Sequence, residues 1–92
     1  MEKIMHIAMI PKTTQKVTSS GSSVQSSAFG AHIEYVRIVA DADCHIAFGV
    51  NPTATTSSIY VPVDDVEYFK VSPGEKVAVI GSVNLYVSDL TE

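Results

Sequence analysis

The sequence predicts an all-β fold: a small antiparallel sandwich, jelly-roll-like, with an extended Ser/Thr-rich N-terminal arm. Three observations carry that expectation. Val and Ile supply 21 of the 92 residues, whereas Leu occurs only at Leu85 and Leu90. β-Branched side chains are stiff at χ1 and pack well on a pleated surface, while helix-rich chains draw on Leu and Ala. Alternating apolar and polar runs recur at roughly the 8–12-residue spacing of sandwiches and small barrels. Turn residues separate the runs, and no heptad, internal repeat or apolar stretch of membrane-spanning length is present.

Taken in order, Met1–Pro11 is an apolar segment, with Met5, Ile7 and Met9 on one face and Ile4, His6, Ala8 and Ile10 on the other. Apolar residues on both faces indicate a strand buried on both sides or covered by a partner chain. Lys12–Gly30 follows. Residues 12–29 hold nine Ser/Thr and no acid, with only Val17, Val24, Ala28 and Phe29 apolar. Such a segment buries too little apolar surface alone to offset its ordering entropy. Two readings stand: a flexible surface loop, or an extended arm that orders against a partner by strand pairing. The arm reading makes Lys12, Thr13, Thr14, Lys16, Val17, Val24 and Phe29 the candidate partner-binding residues. A boundary at residue 30 then separates an N-terminal strand and arm, 1–30, from a sandwich body, 31–92.

The body carries the alternation. Strands are expected at Ile33–Val39, Cys44–Phe48, Ile59–Val63, Val66–Val71, Lys76–Ile80 and Val83–Val87. Turn signals lie between them at Asp41-Ala42-Asp43, Asn51-Pro52, Asp64-Asp65, Pro73-Gly74 and Gly81-Ser82. Pro73 followed by Gly74 suits a type II turn, where Pro fixes φ and Gly takes φ > 0. Gly81-Ser82 suits a two-residue type II′ hairpin. Pro62 has no N–H for a ladder, so its strand belongs at an edge or a bulge.

The net charge of −4 is unevenly spread. Residues 1–30 hold Lys3, Lys12 and Lys16 against Glu2, while residues 31–92 hold nine acids against Arg37, Lys70 and Lys76. An acidic body with one Arg is poorly matched to a phosphate backbone, so no direct nucleic-acid partner is expected. Cys44 is the single cysteine, which excludes an internal disulfide or a multi-cysteine zinc site and makes a reduced cytoplasm the expected place of synthesis. Ile4–Ile10 is too short for a membrane span, and with Pro11-Lys12 directly after it the segment does not read as a cleaved signal.

Reactive constellations are sparse. Asp41, Asp43 and His45 alternate and would share one face of a continuous strand, but too few oxygens accompany them for a calcium loop, and bracketing of a turn explains the two aspartates. Asp64, Asp65 and Glu67 form a carboxylate group that a solvated turn explains equally well. Cys44 and His45 are adjacent and point to opposite faces of a strand, so they do not pair as nucleophile and base. No nucleophile elbow, zinc-binding helix motif or phosphate loop occurs. A non-enzymatic protein without cofactors is therefore expected. Sugar-binding modules share this size and class but favour exposed Trp platforms, and Trp is absent. Tyr35, Tyr60, Tyr68 and Tyr86 all fall in strands, where core or interface packing accounts for them.

From Tyr35 to Ile80 the chain resembles small virion proteins of tailed bacteriophages, particularly head-associated ones. The residues that carry the resemblance are Val36–Ala40, Cys44–Gly49, Asn51–Thr55, Tyr60–Pro62, Glu67–Val71 and Pro73–Ile80. The stretch covers about half the chain, and its specificity lies in the order of otherwise generic strands and turns. Similar proteins are capsid cement or decoration proteins, bound on the outer capsid surface and often trimeric. The resemblance implies a homo-oligomer, a trimer by preference, that clamps neighbouring major capsid protein subunits of the virion against internal DNA pressure. The expectation that the arm grips the capsid while the body faces solvent rests on the charge split alone. The alternative from another class is a receptor- or glycan-binding β module of a phage tail or fibre.

Overall fold

A computed structural model of the chain describes residues 9–91, and within them every regular element is a strand. In chain order these are β1 (Ile10–Ser20), β2 (Val24–Gln25), β3 (Tyr35–Ala40) and β4 (Cys44–Gly49). They are followed by β5 (Ile59–Val61), β6 (Glu67–Lys70), β7 (Lys76–Ile80) and β8 (Ser82–Thr91). Two antiparallel four-stranded sheets result. The front sheet has the order β1-β8-β3-β6 and the back sheet β2-β7-β4-β5. The expected strand in Met1–Pro11 lies largely outside the described residues.

The pairing follows one pattern. β1 pairs with β8, β2 with β7, β3 with β6 and β4 with β5, as in one long ribbon turned back at the β4–β5 loop. The ribbon is then rolled, so that β3 also meets β8 and β4 also meets β7. Every connection except β4–β5 therefore passes from one sheet to the other.

Alternation explains the core. Val36, Ile38 and Ala40 of β3 turn inward, as do Cys44 and Ile46 of β4, Val77 and Val79 of β7, and Val83, Leu85 and Val87 of β8. The largest fully buried side chains are Ile38, Ile46 and Leu85 with five valines, so the layer between the sheets is built from β-branched and Leu residues. Phe48 and Phe69, one from each sheet, meet tilted with ring centres 5.1 Å apart at the margin of this core.

The expected arm is part of the sandwich, and residue 30 does not divide the molecule. β1 runs antiparallel to β8 from Ile10–Thr91 to Ser20–Ser82, with one irregularity between Pro11 and Thr14. Val17, Phe29 and Ile33 join the core, and Val24 packs against it. The polar residues of the segment order by bonding to backbone. The Ser26 hydroxyl accepts from Val77 N at 3.0 Å and donates to the Ser27 carbonyl at 2.9 Å. Ser19 Oγ donates to the Ser22 carbonyl at 2.7 Å. The segment does not order alone; β8 and β7 supply the template that its composition lacks.

Two turns illustrate the limits of local reading. Glu75 N donates to the Ser72 carbonyl at 3.1 Å and Gly74 has φ 85°, which is the geometry expected for Pro73-Gly74. Gly81-Ser82 is not a hairpin, because β7 and β8 belong to different sheets. Gly81 alone turns the chain between them at φ 145°, and a Cβ there would lie 3.2 Å from the Asp43 carbonyl oxygen. Pro62 follows β5, the edge strand of the back sheet, as its missing N–H requires.

Candidate functional site

The two outer faces of the sandwich differ. The β4–β5 loop folds over the back sheet: Gln25 Nε2 donates to Asn51 Oδ1 and to the Pro52 carbonyl, both at 2.8 Å, and Ala54 N donates to Ser23 Oγ at 2.9 Å. Pro52 and Ala54 are buried by this docking, and Ala78, which points away from the core, is also fully buried. Among the described residues, no loop covers the central rows of the front sheet in this way.

Register gives those rows. Lys16, Tyr86 and Val39 stand side by side across β1, β8 and β3. Thr14, Ser88, Arg37 and Tyr68 form the next row and extend it to β6, with the Thr14 and Ser88 hydroxyls 2.9 Å apart. The third row is Pro11, Leu90, Tyr35 and Lys70, where Lys70 Nζ lies 5.5 Å from the centre of the Tyr35 ring, within cation–π reach. Tyr68 and Tyr86 are each more than a third exposed. The rows bring three cations and three tyrosines together and contain no acid. Glu34 precedes this face at one end of β3 and Asp41 follows it at the other. Asp41 is held by Asn84, whose backbone and side-chain N–H groups keep its carboxyl below the usual range.

The seven residues expected to form an adhesive arm fall into two sets. Thr14 and Lys16 are on the open front face, and Lys12 and Thr13 are exposed at the irregularity of β1. Val17 and Phe29 are buried in the sandwich, and Val24, half-buried, packs against its core. The charge division is also one of faces rather than of chain halves. Arg37 and Lys70, from the acidic half of the sequence, stand on the same face as Lys16.

The other constellations separate. Asp43 Oδ1 accepts from Val63 N at 2.8 Å, and its carboxylate beside the Tyr60 hydroxyl raises the Tyr60 pKa. His45 packs against Tyr60 with ring centres 5.3 Å apart. Asp41, Asp43 and His45 thus serve three different contacts, and among the described residues no group of three or more His, Cys, Asp or Glu is placed to hold a metal ion. Cys44 is buried, and desolvation together with the nearby Asp43 and Asp41 charges pushes its thiol up to about 11. Asp65 and Glu67 do come together. Hydrogen bonding to Asp65, then burial, then the Asp65 charge raise the Glu67 pKa. His32 lines a hollow of about 250 Å³ with Glu34, Tyr35, Leu90 and Thr91, and His6 lies outside the described residues.

Sequence reasoning did not single out Tyr35, Arg37, Tyr68, Lys70 or Tyr86 as a surface. The available signal was phase: Tyr35, Arg37 and Val39 share one parity in β3, while the buried Val36, Ile38 and Ala40 share the other. Comparison with protein-family models, curated proteins and solved structures found no match for this chain.

Proposed function

We propose that this chain is a non-enzymatic viral structural protein, a capsid cement or decoration protein that stabilises a bacteriophage head by bridging major capsid protein subunits. The observation that carries the reading is the front-sheet face, where three tyrosines and three cations stand in adjacent rows uncovered by any other described residue. Tyr and Arg are favoured at protein contacts because they bring large area and directed hydrogen bonds at modest entropic cost. The rolled two-sheet ribbon is a jelly-roll order, an architecture that serves in viral shells and in lectins, and it supports the reading only as analogy.

In this reading the protein is made in the host cytoplasm and acts on the outer surface of the capsid in the virion, as a homo-oligomer, with a trimer favoured. It uses no cofactor, membrane or direct nucleic-acid contact. Each copy covers surface on neighbouring capsid subunits, and several linked copies add avidity without new chemistry. Purified protein is expected to co-sediment with expanded heads, and heads lacking it are expected to rupture at lower temperature. Absence of binding together with equal heat tolerance overturns the proposal.

Tyr68 and Tyr86 also favour a second reading, a receptor- or glycan-binding module of a tail or fibre, since exposed rings can stack on sugars. Specific hits on a glycan array and labelling of the virion tail would select it over the first.

A further inference from the structure

We infer that copies of this chain associate head to tail, the cationic front face of one copy receiving the acidic corner between β5 and β6 of the next. The inference deepens the homo-oligomer part of the proposed function and rests on it, but it does not depend on a capsid.

Both complementary surfaces belong to the same chain. The corner follows β5 and presents Val63 and Val66 at 47% and 40% exposure, with Tyr60 of β5 itself beside them at 53%. Beside them stand Asp64, Asp65 and Glu67, and no Lys or Arg occurs between Arg37 and Lys70. Exposed apolar side chains edged with carboxylates suit a contact that buries the former and pairs the latter.

The corner is held in place before any contact forms. Val63 N is bonded to Asp43 Oδ1 at 2.8 Å, Asp64 N to the Ala40 carbonyl at 2.9 Å and Asp65 N to the Pro62 carbonyl at 3.3 Å. Asp64 sits at φ 62°, a left-handed position that Asp tolerates and that keeps the turn tight. Little ordering entropy remains to be lost on docking. Crowding of Asp65 and Glu67 within the corner is relieved when a cation approaches, and Lys16, Arg37 and Lys70 on the front face supply three.

Within one copy the corner lies at the edge of the sandwich at β6, while the cations lie on the face beside it. A contact between different patches is heterologous, so each copy offers both halves and successive copies repeat it. A face and its neighbouring edge are not on opposite sides. Successive copies therefore turn at each contact, and the assembly is a ring where those turns complete a circle.

Charge reversal of the complete chain tests the contact. One variant carries Lys16→Glu, Arg37→Glu and Lys70→Glu; the other carries Asp65→Lys and Glu67→Lys. Sedimentation velocity at low ionic strength is expected to show an oligomer for the parent protein, and added salt is expected to dissociate it. Each variant alone is expected to self-associate at least about tenfold more weakly, because like charges then face one another. In an equimolar mixture the two variants can only alternate, so they are expected to recover the contact as mixed pairs or even-numbered rings, since the reversed face of one matches the reversed corner of the other. Circular dichroism and thermal melting establish that each variant folds. If one does not, the neutral forms Arg37→Gln with Lys70→Gln, or Asp65→Asn with Glu67→Gln, read the same contact.

A parent protein that is monomeric at every concentration overturns the inference. So does a corner variant that assembles like the parent, or a mixture that stays dissociated. A monomer that still binds heads defeats this contact and leaves the capsid proposal standing; an oligomer built through this contact that ignores heads does the reverse.

Discussion

Asp41 and Asn84 hold one another by three hydrogen bonds. The Asp41 carboxylate accepts from Asn84 N and from Asn84 Nδ2, both at 2.8 Å, and Asp41 N donates to the Asn84 carbonyl at 3.2 Å. The pair fastens the corner between β3 and β4 to β8, where the chain leaves the front sheet for the back. Thr18 Oγ1 adds a bond to Asn84 Oδ1 at 2.7 Å, which brings β1 into the same knot.

That knot is expected to respond to acid. The two Asn84 donors favour the ionised carboxylate and lower the Asp41 pKa from its ordinary 3.8. A carboxyl whose folded pKa is depressed contributes stability above its unfolded value and loses it as pH falls through the folded one. Denaturant titrations of the parent and of Asp41→Asn are expected to differ by a constant amount well above pH 3.8 and to converge below Asp41's folded pKa. A difference that does not change with pH would show that the charge plays no part.

Asp89 is expected to behave in the opposite sense. It is 7% exposed, and its Oδ1 has no hydrogen-bond partner among the described residues. Burial raises its pKa above 3.8, and a bond from the Gly30 backbone offsets this only in part. The folded protein therefore holds this proton to higher pH than the unfolded chain, and stability falls as pH rises from 3.8 through the raised value. Asp89→Asn preserves the shape and can still accept from Gly30 N. It is expected to be more stable than the parent at neutral pH by about 1 kcal/mol, and to lose that advantage below pH 3.8, as read by urea denaturation.

Phe29 reports whether the polar N-terminal third belongs to the cooperative unit. Its ring is 3% exposed within the core cluster, so Phe29→Ala is expected to cost about 3–5 kcal/mol by the lost burial and the cavity left behind. An appended arm would leave the melting of the body unchanged. Thermal or chemical denaturation that shows no loss would restore the arm.

Cys44 is expected to be inert in the native protein. Its thiol, raised to about 11, is almost entirely protonated at pH 8 and is buried as well. Mass spectrometry after iodoacetamide treatment should find no adduct under native conditions and complete alkylation in denaturant. Rapid native labelling would mean that the β4 edge of the core opens readily.

These expectations also mark what local sequence conveys. The six body strands were legible because one side of each is apolar and the other polar, as in Val36-Arg37-Ile38 or Val83-Asn84-Leu85. β1 was not legible as a body strand, because its inward positions include Gln15 and Ser19, whose polar groups are satisfied by partners distant in composition from any hydrophobic pattern. The Gly81 corner differs from the hairpin its sequence suggests for a related reason: a turn residue shows that the chain reverses, not which sheet receives it. The front face was half legible. The parity of Tyr35 and Arg37 was visible, but that Lys16, Tyr86, Tyr68 and Lys70 stand beside them depends on an order of strands that joins residues tens of positions apart.

The position of β8 has a consequence in time. It lies between β1 and β3 and is the last strand to be synthesised. Until β8 emerges from the ribosome, β1 has no neighbour in its sheet among the described strands, and β3 has only the four residues of β6. The nascent domain thus carries unpaired edges and an uncovered core layer until the ten residues of β8 insert between strands made long before.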